Sequence, residues 1–275
     1  MSAPLTVFVV AFSGLLGLAV GSFLNVVAYR VPAGVSLLRE SRCPSCAAPV
    51  RWWQNAPVAS WFLLRGRCAS CRSPISARYP IVEAVTGAVF AGVAAWWAAQ
   101  PGAGTGLGQW AVFAAFLWFA AAGIVLTVID LDVRRLPHVI TGTTLAVCAA
   151  LLGVASLLAG DAAPLIRALT GAAAVSGFYA LLRVIRPDGM GGGDVRLAAV
   201  VGLMLGWLGW GPLLVGGFAA FVLGGVFGVA LLARGRAHRR TAIPFGPWIV
   251  VGAWIGVVAG EALGRSYLAL YPVLL

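Results

Sequence analysis

Two aspartates, Asp130 and Asp194, stand where long apolar runs meet basic segments, and they are the side chains best suited to bond-breaking chemistry. A carboxylate at membrane depth costs roughly 2.5–3.5 kcal/mol on insertion scales, so acids kept there usually serve a function. Asp130 opens the run Asp130-Leu131-Asp132-Val133-Arg134-Arg135-Leu136-Pro137-His138, and Asp194 closes Asp188-Gly189-Met190-Gly191-Gly192-Gly193-Asp194. Two carboxyl groups brought together cannot both ionise, so one proton is shared. The ionised partner can then take a proton from water while the other donates to the carbonyl under attack, which is the chemistry of an aspartyl protease. Gly189, Gly191, Gly192 and Gly193 remove the Cβ atoms that would keep an extended peptide from the backbone. They also interrupt helix at a depth tolerated only beside a polar cavity. Asp132 and Asp188 read instead as loop acids paired with Arg134, Arg135 or Arg196. A dinucleotide-binding loop does not suit these glycines, because no βαβ pattern precedes them. With His138 and His238 as the only histidines, no Ser-His-Asp set can be assembled.

A second cluster is made of cysteines. Cys43-Pro44-Ser45-Cys46 and Cys68-Ala69-Ser70-Cys71 each follow an Arg and precede a Pro with an aliphatic residue behind it, so the segment is a short internal echo. Four thiolates in two CxxC pairs at this separation suit a closed, tetrahedral structural zinc. A redox dithiol pair and unmetallated thiols are the alternatives. Residues 30–79 offer few core candidates (Trp52, Trp53, Trp61, Phe62, Leu63, Leu64), and so small a segment needs a staple. Cys148 lies alone in an apolar run and reads as packing.

The elements that must position these groups are membrane helices. The chain has 275 residues, 61% of them hydrophobic and 10% charged, with mean hydropathy +0.97. A soluble domain of this length would need more charge to cover its surface. Apolar stretches long enough to span a bilayer occur at 5–29, 80–99, 109–130, 139–159, 165–185, 195–208, 213–233 and 243–263, the sixth being short and Gly-rich. The fold class expected is an all-α polytopic membrane protein of about eight transmembrane helices. The first stretch lacks a basic start and a small-residue cleavage site, so it reads as a retained span. Net charge is +11 and all 19 basic residues are Arg. With the N-terminus outside, 17 of the 19 fall at cytoplasmic loops or inner helix ends, leaving only Arg167 and Arg265. This is the positive-inside pattern, so the charge reports topology rather than a nucleic-acid partner. Three parts follow: a first helix (1–29), a cytoplasmic double-CxxC segment (30–79), and a seven-helix membrane domain (80–275) carrying both aspartates.

Taken in order, these motifs resemble those of the type IV prepilin peptidases, bifunctional leader peptidase/N-methyltransferases also called GxGD-type aspartyl proteases. The resemblance rests on Gly21-Ser22-Phe23-Leu24-Asn25-Val26-Val27 with Arg30-Val31-Pro32, the double CxxC, and Arg78-Tyr79-Pro80-Ile81-Val82-Glu83-Ala84-Val85-Thr86-Gly87. It also rests on Gly191-Gly192-Gly193-Asp194 and Ile243-Pro244-Phe245-Gly246-Pro247. It implies catalysis by Asp130, which Leu136-Pro137 follows at the family's distance, and by Asp194. It further implies structural zinc on Cys43, Cys46, Cys68 and Cys71, an inner-membrane location with both sites facing the cytoplasm, and prepilin and pseudopilin substrates of pilus or secretion systems. Cleavage would follow a short basic leader, and the new N-terminus would be methylated from S-adenosylmethionine. Glu83 either supports that methyl transfer or is a carboxylate favoured at a helix N-terminus just after Pro80. Ser22 and Asn25 read equally as interhelical hydrogen-bonding groups. Two positions depart from the family pattern: His138 stands where Asp is usual, and Arg196 where Lys is common. The competing reading is a proton-coupled transporter with Asp130 and Asp194 as a relay. Transporters set such acids near the midplane on repeat-related broken helices, whereas here they sit at one face and no inverted repeat is evident.

Overall fold

Each apolar stretch becomes a helix in the computed structural model, which describes residues 1–187, 190–235 and 244–269. In chain order the helices are α1 (Ala3–Arg30), the short α2 (Ala59–Leu63), α3 (Arg78–Ala98), α4 (Gly106–Val133) and α5 (His138–Ala159). They continue with α6 (Ala163–Ile185), α7 (Gly192–Leu208), α8 (Trp210–Ala233) and α9 (Gly246–Ala269). No strand occurs among the described residues. Among the described residues seven helices, α1, α3, α4, α5, α6, α8 and α9, are long and apolar enough to cross a membrane. The sixth expected span is the shortest, as its sequence suggested: α7 has 17 residues, and Leu197, Ala198, Val200, Val201, Leu203, Met204 and Leu205 are all buried. A helix apolar on every side is a core helix or a membrane span, and α7 is surrounded by protein, packing against α5, α6, α8 and α9.

The chain forms two compact units, Met1–Gly104 and Thr105–Leu275. In the first, α1 packs on α3 with the cysteine segment strung between them. In the second, α4 pairs with α5, α6 with α7 and α8 with α9, and α4 also meets α9. The α6–α7 seam is tight because it lacks side chains. A Cβ on Gly206 would lie 2.7 Å from the carbonyl oxygen of Arg167, and small residues of this kind let membrane helices approach closely. Cys148 is fully buried in α5, its thiol directed at the Ala115 carbonyl at 3.7 Å.

Candidate active site

Asp130 sits in the last turn of α4 and is only 5% exposed. The helix stops just beyond it. Arg134 takes the left-handed conformation (φ 52°) and returns its N–H to the Asp130 carbonyl at 3.0 Å. Pro137, whose ring cannot continue a helix, then caps the start of α5 in extended form, and Leu136 between them is buried. Asp194 is the third residue of α7, where the Gly191 N–H donates to its Oδ2 at 3.0 Å. This is one half of a capping box, the half available when the cap residue is glycine. Asp130 is held in the same way from another helix: its Oδ2 accepts the N–H of Gly246, the first residue of α9, at 3.0 Å. Each carboxylate thus caps a helix N-terminus, where unpaired N–H groups and the helix dipole favour it. An added Cβ would stand 2.9 Å (Gly191) or 2.8 Å (Gly246) from the very oxygen being held, so glycine lets each carboxylate keep this position.

The two aspartates, 64 positions apart in the chain, line one cavity of about 330 Å³. Asp194 lies within electrostatic reach of Asp130 and of Tyr179 of α6. Gly191, Gly192 and Gly193 form part of the cavity wall with Leu136. Arg134, Arg135, Arg183, Arg196 and His138 line it too, so the acids face a cationic surround. Arg196 and His138, the two positions that depart from the family pattern, are hydrogen-bonded to each other. A guanidinium has no acceptor atom, so Nδ1 of His138 accepts. Asp132 is exposed and is not part of the wall. Asp188, Gly189, His238 and Ile243 lie outside the described residues. Gly246, Arg183 and Tyr179 are the site residues that sequence reasoning passed over. For Gly246 a signal existed, because Gly246-Pro247 is a helix-start pair next to an apolar run.

The double CxxC closes into two matching knuckles. Cys43 N–H bonds to the Ala48 carbonyl (2.9 Å) and Cys68 N–H to that of Ser73 (2.8 Å). Ala47 and Arg72, each one residue past its second cysteine, both take positive φ (58° and 62°). The four Sγ atoms lie within 4.8 Å of one another, and Cys43 and Cys71 are 3.9 Å apart. Tetrahedral zinc with Zn–S bonds near 2.3 Å sets its sulfurs about 3.8 Å apart, so the donor set fits that ion. Hydrogen bonds from the backbone N–H groups of Cys46 and Ser45 bring the Cys43 thiol down to about 6. The Ala48 N–H favours the Cys46 thiolate, but hydrogen bonding to Cys71 and burial outweigh it and push that thiol up to about 11.

Glu83 is buried in α3, and its Oε2 accepts the N–H of Val58 at 2.7 Å, so the carboxylate reaches into the cysteine segment. Asn25 of α1 donates to the Tyr79 carbonyl at 3.2 Å, an interhelical bond. In the same unit, Glu40, Ser41, Pro49, Val50, Trp52 and Asn55 wall a second cavity of about 330 Å³.

Comparison with known proteins gives two matches, one within each compact unit. Residues 15–97 match the model of the bacterial peptidase A24 N-terminal domain, and residues 112–229 that of the type IV leader peptidase family. A prepilin leader peptidase/N-methyltransferase of Neisseria gonorrhoeae is 35% identical, covering 95% of this chain and 94% of its own. Those of Stutzerimonas stutzeri and Pseudomonas aeruginosa are each 32% identical, covering 92% of this chain and 91% of their own. No solved structure matches significantly.

Proposed function

This chain belongs to the type IV leader peptidase family, and from its site we propose that it cleaves prepilins and pseudopilins with Asp130 and Asp194 as the catalytic pair. The observation that carries the reading is the meeting of these two acids on one cavity, each held by a glycine N–H at 3.0 Å. One carboxyl holds a proton and the other does not. The ionised group takes a proton from water as its oxygen adds to the scissile carbonyl carbon, and the protonated group donates to the carbonyl oxygen. The C–N bond then breaks as a proton passes to the leaving amine. The glycine wall lets the substrate backbone lie close. The site faces the cytoplasm of the inner membrane, where a basic leader awaits removal, and the flanking helices sit among lipids.

The protein is a protease that also carries N-methyltransferase activity. In our reading the methyl donor is S-adenosylmethionine, which when bound supplies an electrophilic methyl group to the new N-terminal amine. The cavity of the N-terminal unit suits it, with the exposed indole of Trp52 to stack on adenine, the Asn55 amide beside it, and the Glu40 carboxylate, whose Oε2 accepts from Arg42 at 2.9 Å, keeping its other oxygen for a ribose diol. Zinc on the four cysteines is structural: a closed thiolate set leaves no position for substrate.

Asp130→Asn and Asp194→Asn, each alone, should abolish leader removal from a co-expressed prepilin while the protein still accumulates in the membrane. Normal processing by either variant would defeat the assignment.

A further inference from the structure

We propose that Glu83 is a positioning residue for the methyl-donor cavity, acting through the backbone of Val58. This rests on the placement of the donor given above. Val58 is β-branched yet holds φ 61° and ψ −52°, and the Ala59 N–H closes a γ-turn onto the Pro57 carbonyl at 2.6 Å. A γ-turn of this hand is rare and strained, and positive φ is an outlier for a β-branched residue. Such strain persists only where the surroundings hold it. Here the holding group is the Glu83 carboxylate, 8% exposed, at 2.7 Å from the Val58 nitrogen. A backbone N–H bonded to a carboxylate is among the stronger hydrogen bonds, and burial keeps water from competing for it.

The held turn lies directly after the 3₁₀ turn Trp52–Asn55, which supplies Trp52 and Asn55 to the cavity wall. Ser22 of α1 touches the same arm through Asn55, at the limit of a hydrogen bond (3.5 Å). The Glu83 contact is therefore what ties residues 52–58 to α3, while Arg30 of α1 holds the other side of the cavity through the Leu37, Arg39 and Glu40 carbonyls. Without it Val58 relaxes toward ordinary φ, the chain changes direction there, and the wall formed by Trp52 and Asn55 moves.

The test uses the full-length protein in nanodiscs, with calorimetric titration of S-adenosylhomocysteine and tryptic cleavage after Arg51 and Arg65. Glu83→Ala should weaken binding about tenfold and speed cleavage by a similar factor, as expected for losing a hydrogen bond to a charged group. Glu83→Gln keeps an acceptor oxygen and should retain most of both properties. Val58→Gly accepts the turn without strain and should bring the Glu83→Ala defect to within about threefold of its own background. Unchanged tryptic cleavage in Glu83→Ala, a Glu83→Gln protein as defective as Glu83→Ala, or no relief from Val58→Gly would each overturn the proposal. Faster cleavage with unchanged binding would overturn it by another route: the tie would stand and the donor would bind elsewhere. Normal binding by Trp52→Ala would identify that case independently.

Discussion

The N–H of Gly246 reaches the carboxylate of Asp130 at 3.0 Å across 116 positions of sequence. The start of α9 thereby fixes the rotamer of an acid at the end of α4, while Asp194 takes the equivalent support from Gly191 within its own turn. One aspartate is positioned locally and the other by tertiary structure. They should therefore respond differently to changes elsewhere in the chain.

Gly246→Ala tests the long-range support. Its Cβ would lie 2.8 Å from Asp130 Oδ2 and 3.4 Å from Leu136 Cδ2, so the carboxylate has to swing away. A misplacement of about 1 Å costs about a hundredfold in rate, and leader cleavage should fall by that order with membrane accumulation unchanged. A quantitative cleavage assay on purified prepilin decides; wild-type rates would show that the Gly246 contact is dispensable.

Gly193→Ala tests the glycine wall. The added Cβ would meet Leu136 Cβ at 2.6 Å and its carbonyl oxygen at 3.2 Å, and neither belongs to a flexible side-chain tip. Cleavage should be lost. Leu136→Gly in the same protein removes the nearer atom and should restore part of the activity, whereas Leu136→Ala keeps that Cβ and should restore none. Equal behaviour of the two suppressors would place the clash elsewhere.

The cysteine quartet makes a chemical prediction. In metal-stripped protein at neutral pH, Cys43 should be alkylated well before Cys46, since reactivity follows the thiolate fraction and the two thiols are shifted to about 6 and about 11. The Cys43 pKa is depressed, so its thiolate is present above about 6, and labelling should fall as pH drops through that value. Zinc should protect all four thiols. Replacing Cys43 and Cys46 together by Ser should lower the metal content measured by mass spectrometry. A metal-free protein that folds and works normally would remove the zinc from this account.

Helix positions were readable because hydropathy is a local property: expected and observed boundaries, such as 109–130 and Gly106–Val133, differ by a few residues. Asp130 and Asp194 stood out because carboxylates are rare in such surroundings, but their partners did not. No local pattern ties Gly246 to Asp130, and Arg183 looked like one more topology signal until its place in the cavity wall was seen. The turn at Val58 was hidden for the opposite reason: a β-branched residue argues against positive φ, and only the distant Glu83 makes that conformation tenable. The Arg-Cys-x-Ser-Cys echo, by contrast, carried over directly into two knuckles with the same hydrogen bonds.

Arg167 and Arg265 are the two arginines that fall outside the positive-inside pattern. Arg265 pairs with Glu261 one turn back at 3.4 Å, a largely exposed contact worth little. Arg167 does more. Its Nε and Nη2 donate to the carbonyls of Gly206 and Trp207, each at 2.7 Å, and so satisfy the last turn of α7, where carbonyls have no intrahelical partner. The cation also meets the negative end of the helix dipole. This bond joins α6 to the far end of the helix whose first turn carries Asp194. Arg167→Ala should therefore cost about 1.5–3 kcal/mol, read as a lower thermal midpoint in detergent. Arg167→Lys should recover only part of it, because one ammonium cannot reproduce the two-pronged geometry of a guanidinium. A midpoint unchanged by Arg167→Ala would mean that α7 is held by apolar packing alone.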